Sequence, residues 1–108
     1  MRKMYQVIKR DGKITDFDLN KVSVAITKAF EAQNKQYVPA IIDMLTLRVT
    51  ADFENKIENN LVHVEDIQDS VEHVLEQSGY TDVAKAYILY RKQREKIRNM
   101  KSTILDYK

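Results

Sequence analysis

The sequence predicts an α+β fold weighted toward helix: an N-terminal β-hairpin packed on a bundle of about four helices. Three observations carry that expectation. Two glycines and one proline among 108 residues leave little room for loops. An Asp-Gly dipeptide, Asp11-Gly12, stands between two short apolar-containing runs near the start. From residue 19 onward, apolar side chains recur at spacings of three and four, the period of an amphipathic helix.

The hairpin comes first. Tyr5 to Arg10 partly alternates, and Lys13 to Phe17 forms the second run. The turn between them needs a positive φ, which glycine adopts freely. Val7 then faces one side of the hairpin and Lys9 emerges at its end. A first helix follows Asp18, a suitable N-cap, with Leu19, Val22, Ile26, Ala29 and Phe30 on one face. A second begins near Pro39, a residue suited to the first helical turn, and shows Ile41, Leu45, Val49, Phe53 and Ile57. Asn55 to Asn60 marks the way out. The third carries Val64, Ile67, Val71, Val74 and Leu75 and ends at Gly79 as C-terminal cap. Thr81 or Asp82 starts a fourth, with Val83, Ala84, Tyr87, Ile88 and Tyr90. It turns basic from Arg91 to Lys101, with Arg91, Lys92, Arg94, Lys96, Arg98 and Lys101 against one acid, Glu95. By default that run is a solvated helix face, and a partner surface second. Tyr87 and Tyr90 are expected between helices with their hydroxyls wet.

One domain with a modest core fits this length. A composition of 44% hydrophobic and 31% charged residues is that of a charge-rich soluble globular protein, and a net charge of +2 exerts no strong overall pull on polyanions. The absence of cysteine excludes a disulfide framework, a cysteine-ligated zinc site, an iron–sulfur cluster and a thiyl-radical centre within these residues. No apolar run approaches the roughly 20 residues that span a bilayer, and no long apolar segment follows the charged start Met1-Arg2-Lys3-Met4. The expected location is cytoplasmic, with no membrane partner.

Catalytic inventories are missing. There is no glycine-rich phosphate loop, no serine in a nucleophile-elbow context, and no third ligand beside His63 and His73. Glu65-Asp66 reads as first-turn acids placed by the helix macrodipole. No catalytic and no metal-ligating residue is assigned. What remains is Lys9-Arg10 before the turn together with Lys21 in the first turn of the next helix. A first-turn cation is disfavoured by up to roughly 1 kcal/mol, and a nearby phosphate would reverse that penalty. Each close cation–phosphate pair contributes on the order of a few kcal/mol at an effective dielectric near 20, before desolvation is subtracted. Helix N–H donors add to the same site. Solvated hairpin charge is the plain alternative, and spacing alone leaves both open.

Val7-Ile8-Lys9-Arg10-Asp11-Gly12, with Phe17-Asp18 and Lys21-Val22, resembles the opening of the ATP-cone domain. Val64-Glu65-Asp66-Ile67-Gln68-Asp69-Ser70-Val71-Glu72 continues the likeness, and Ala84 to Arg91 looks like that family's last helix. Three motifs in order span residues 5–95. ATP-cones are nucleotide sensors, found mainly in the large subunits of ribonucleotide reductases and in a zinc-containing repressor of their genes. The resemblance therefore implies an allosteric domain on which ATP permits and dATP suppresses the activity of a reductase, with magnesium entering only through the nucleotide phosphates. The basic helix and its Lys101-Ser102-Thr103 tail look most like the anaerobic ribonucleoside-triphosphate reductases, whose catalytic domain would be the partner. Another cone is a further partner on oligomerisation. Residues 1–100 would form the cone and 101–108 the start of a linker.

Carried over by position, the family implies that Lys9, Arg10 and Lys21 hold the phosphates, joined by Arg91 or Lys92. Val7, Phe17, Val22 and Ile88 would line an adenine slot together with Ile67, and Gly12 would shape the turn. Asp18 would meet the base or cap the helix, and Gln68 would face ribose or phosphate. Val7, Val22, Ile67 and Ile88 also complete the apolar faces, where core packing is their first role. Three positions depart from the family: His63 replaces a Ser or Thr cap, Thr15 stands where some relatives use a base-reading glutamate, and Gln68 where some have histidine. The alternatives are the cone of a nucleotide-sensing transcriptional regulator, a nucleic-acid-binding module using the basic helix, and a docking domain without a small ligand.

Overall fold

The computed structural model of the chain describes residues 5–106, with side chains as far as Ile97. The charged start Met1-Arg2-Lys3-Met4 and the side chains of Arg98 and Lys101 lie outside what is described. Strands β1 (Gln6–Ile8) and β2 (Ile14–Asp16) form the expected hairpin, in antiparallel register with Val7 opposite Thr15. The turn is of the three-residue kind. Lys9 accepts from the Gly12 N–H at 2.9 Å, its own N–H reaches Lys13 C=O at 2.8 Å, and Gly12 takes φ +86°. Asp11 Oδ1 accepts the Lys13 N–H at 3.0 Å and seals the loop.

Helices α1 (Leu19–Ala32), α2 (Pro39–Phe53), α3 (Val64–Gln77) and α4 (Thr81–Asp106) follow. Asp18 caps α1 through Oδ1, accepting from the Asn20 N–H at 3.0 Å. Two helices end in the same way. Asn34 closes α1 and Gly79 closes α3, each with positive φ. The next N–H reaches back into the last turn in both, Lys35 to Phe30 at 3.0 Å and Tyr80 to Leu75 at 2.9 Å.

The expected hairpin is incomplete: a third strand, β3 (Leu61–His63), pairs parallel to β1 and gives the order β2-β1-β3. The stretch read as a way out contains a 3₁₀ turn, Glu54–Lys56, then a tight turn with Asn59 and Asn60 both at positive φ. Three residues abutting a helix are too few for period-two alternation to show, and pairing with distant Gln6–Ile8 is what makes them a strand. Helix α2 is also rotated from its expected face. It buries Ile42, Leu45, Thr46, Val49 and Phe53, leaves Ile41 half-buried, and stops before Ile57. Thr46 enters the core because its hydroxyl donates to Ile42 C=O at 2.7 Å and meets Ser23 Oγ at 3.1 Å. Leu19, at the edge of α1, remains 39% exposed.

One core joins all these elements. Ile26 and Phe30 of α1, Leu45 and Phe53 of α2, Leu75 of α3 and Val83 of α4 are almost wholly enclosed. Tyr5, Phe17 and Phe53 form an aromatic trio with centroids 4.9 to 5.9 Å apart, which clamps the hairpin onto α2. The sheet thus lies over one end of the bundle, and α1, α3 and α4 meet beneath the turn. Helix α4 runs through Asp106, so no helix end marks residue 100.

Candidate nucleotide site

A cavity of about 460 Å³ opens where the hairpin, the start of α1, α3 and α4 converge, within the size range of small-molecule pockets. Its apolar wall comes from Val7, Val22, Ile67 and Val71, with Phe17 and Tyr87 beside them. Six cations line it against three carboxylates, Asp16, Asp18 and Glu95. The enclosure is a product of topology. Lys9 and Arg10 arrive from the end of β1, Lys21 from one turn into α1, and Arg91 and Arg94 from the middle of α4.

The cations are not equally available. Lys9 and Lys21 are exposed, and neither is paired with a carboxylate within 4 Å among the described residues. Arg10 donates to Glu95 at 2.8 Å and to Glu65 at 3.3 Å, and its Nη2 reaches Gln68 Oε1 at 3.4 Å. Arg91 donates to Glu72 at 2.6 Å and Asp69 at 3.0 Å. Burial would lower the Arg91 pKa, but the bonds to Glu72 and Asp69 outweigh it and raise it. Arg94 folds onto Tyr90, its guanidinium carbon 5.7 Å from the ring centre and Nη1 3.0 Å from the hydroxyl. Burial pushes the Tyr87 hydroxyl up to about 12, so it stays protonated at the apolar wall.

The sequence-derived residues therefore converge for the most part. Val7, Lys9, Arg10, Phe17, Asp18, Lys21, Val22, Ile67, Gln68 and Arg91 all line the cavity. Gly12, Ile88 and Lys92 do not. Gly12 sits at the outer tip of the turn with open space around it. Ile88 and Lys92 occupy the stripe of α4 next to the lining one, which runs through Tyr87, Arg91 and Arg94 at helical spacing. That same spacing would have found Lys28, seven residues beyond Lys21 on α1, and it would also have found Arg94. Of its two candidate roles, Asp18 performs capping with Oδ1. His63 makes no side-chain cap for α3, as its identity led one to expect. A second cavity, lined by Tyr5, Ile57 and Asn59 among others, has Glu54 as its one charged lining residue and offers nothing to a phosphate.

Apolar wall, cationic rim and helix N-terminus are the parts of a nucleotide-phosphate site, and the family model of the ATP cone domain matches residues 5–96. The chain belongs to the ATP cone domain family. As an ATP cone it is a nucleotide-binding regulatory domain. It is 42% identical over 98 residues to a ribonucleoside-diphosphate reductase subunit alpha of Chlamydia pneumoniae, a match covering 85% of this chain and 9% of the relative. A vitamin B12-dependent ribonucleoside-diphosphate reductase of Thermoplasma acidophilum is 41% identical over 102 residues, covering 89% and 13% respectively. An anaerobic ribonucleoside-triphosphate reductase of Haemophilus influenzae is 33% identical over 103 residues, covering 93% and 14%. The cone thus spans about a tenth of the length of the curated relatives it matches. Among the described residues no helix is long and apolar enough to cross a membrane.

Proposed function

We propose that this ATP cone binds ATP and dATP in the cavity beneath the hairpin turn and sets the overall activity of a ribonucleotide reductase, ATP permitting and dATP suppressing it. The observation that carries the reading is the convergence of Lys9, Arg10 and Lys21 beside a wall of Val7, Val22 and Ile67. The ammonium groups take the phosphates, Arg10 joins them as a fork, and the apolar wall takes the base. Lys21 also has its first-turn position explained, since an anion there offsets the unfavourable macrodipole term. Magnesium arrives with the phosphates. The anaerobic parent expected from the tail is supported by the Haemophilus influenzae relative at 33% identity, while the relatives at 41% and 42% are named diphosphate reductases. An anaerobic parent, a cytoplasmic location, a linker from residue 101 and contacts with other cones belong to the same proposal.

Regulation requires the two nucleotides to favour different arrangements, because a ligand of equal affinity for both shifts nothing. Calorimetric titration tests the binding. ATP and dATP bind the folded domain, CTP binds more weakly, and none is turned over. Lys9→Ala or Lys21→Ala weakens binding at least about tenfold, the loss of one charge-assisted phosphate contact, with thermal stability nearly unchanged. A folded domain that ignores all three nucleotides sinks the reading.

A further inference from the structure

Glu95, the one acid in the basic stretch of α4, has no part in the binding described above. Arg10 meets it at 2.8 Å, and the same guanidinium meets Glu65 at 3.3 Å and Gln68 at 3.4 Å. Arg10 thus stands where the hairpin turn, the first turns of α3 and the outer half of α4 come together. All three charged side chains are partly open, 25% for Arg10, 41% for Glu65 and 44% for Glu95, so these pairs are exchangeable in water.

The two carboxylates are anchored differently. Glu65 lies in the first turn of α3, where the macrodipole favours an acid, and buried Ile67, Ser70 and Val71 fix that helix at once. Glu95 lies two turns past Tyr87, after which no described residue of α4 is buried. Among the described residues, the ion pair that crosses from this stretch to the hairpin is Arg10–Glu95.

We propose that Glu95 is a competing counter-ion: it ties the outer half of α4 to the hairpin turn through Arg10, and a polyphosphate in the cavity takes Arg10 from it and frees that half-helix. The proposal rests on the nucleotide reading of the cavity. Guanidinium binds phosphate as a planar fork, and the several charges of a polyphosphate attract it more strongly than one carboxylate does. Glu95 therefore lowers nucleotide affinity and converts occupancy into a loosening of α4.

The test compares the unsubstituted chain with Glu95→Gln, Arg10→Gln and the double variant, each titrated with ATP by calorimetry. Glu95→Gln binds ATP about three- to fivefold more tightly, the upper end of what one exposed ion pair contributes, and the gain shrinks as salt is raised. In the Arg10→Gln background the same substitution changes affinity less than about twofold, because the two residues act through each other. Amide hydrogen exchange over residues 92–97 speeds up when ATP is added to the unsubstituted chain, and is already fast in Glu95→Gln without ATP. Equal or weaker ATP binding by Glu95→Gln, an undiminished gain without Arg10, or unchanged exchange overturns the proposal. If the folded unsubstituted chain binds no ATP, the nucleotide reading itself fails. Exchange in Glu95→Gln measured without nucleotide still decides whether Glu95 holds the helix.

Discussion

Arg91 and Lys21 both line the cavity, yet they do different work. Arg91 is spent on Glu72 and Asp69, and its side chain is only 18% exposed. Lys21 carries an exposed charge with no carboxylate partner among the described residues. Arg91→Ala should therefore lower stability by about 1 kcal/mol, since it strands two acids on α3. Urea denaturation checks this beside Lys21→Ala, which leaves the midpoint in place. A midpoint for Arg91→Ala equal to that of Lys21→Ala would show Arg91 to be as free as the lysine. Sequence showed Lys9, Arg10 and Lys21 because each has a position set by its immediate neighbours, a turn or a helix start. It could not show that Arg91 is engaged, because its partners lie 19 and 22 residues away on another helix.

Among the elements, α3 begins without a side-chain cap, as α2 does behind Val38, where Pro39 fills the first helical position instead. His63 takes the N-cap position with φ −75° and ψ 142° and makes no cap hydrogen bond. Threonine tolerates that extended geometry and also suits a strand, so His63→Thr should add about 0.5–1 kcal/mol through a new bond to an α3 N–H. A rise in melting temperature of about 4 °C is the corresponding observation. An unchanged melting temperature would mean that pairing of His63 with Ile8 keeps the side chain from turning inward. The missed strand has a distant cause and the rotated α2 a local one. Asn59-Asn60, with two positive φ values, is a legible hairpin-turn signal that points back along Glu58 and Leu61, but the parallel pairing with β1 is not local. Both Ile41 and Ile42 are apolar, so the sequence of α2 does not choose between two neighbouring faces, and a satisfied Thr46 hydroxyl makes the less obvious one acceptable.

For the whole molecule, the acid side of the stability profile follows from three aspartates. The bond from the Lys13 N–H holds Asp11 below the usual carboxylate range, and the bond from Lys35 does the same for Asp82. Burial pushes Asp52 up, but the contact with His73 and the charge of nearby Lys56 help to offset it, and Asp52 is left lowered. A folded pKa below the unfolded value means that the native state binds fewer protons. The stabilisation is present above the unfolded value near 3.9 and disappears as pH falls through the lower folded values. Melting temperature should therefore hold from neutrality to about pH 5 and drop below about pH 4. Asp52→Asn should make that drop shallower, and a profile identical to that of the unsubstituted chain would remove Asp52 from the account. The His73–Asp52 contact of 2.9 Å joins α3 to α2, and neither residue lines the cavity beneath the turn, so this acid response and ligand binding should separate.

By itself the sequence determined the helical bulk of the domain, the hairpin with its glycine turn, and the cationic triad of Lys9, Arg10 and Lys21. Each of these depends on residues within a few positions of one another. Its ordered motifs also resembled the family that the match over residues 5–96 then established. Tertiary structure decided the rest. It alone paired β3 with β1, placed α3 and α4 under the turn so that an apolar wall faces the cations, and put the carboxylates of α3 on Arg91. It also set Glu95 against Arg10, across 85 residues of chain, where the geometry makes one acid in a basic helix the partner of the site. Periodicity records which face of a helix is apolar. Which distant charge that face meets is fixed only when the elements pack.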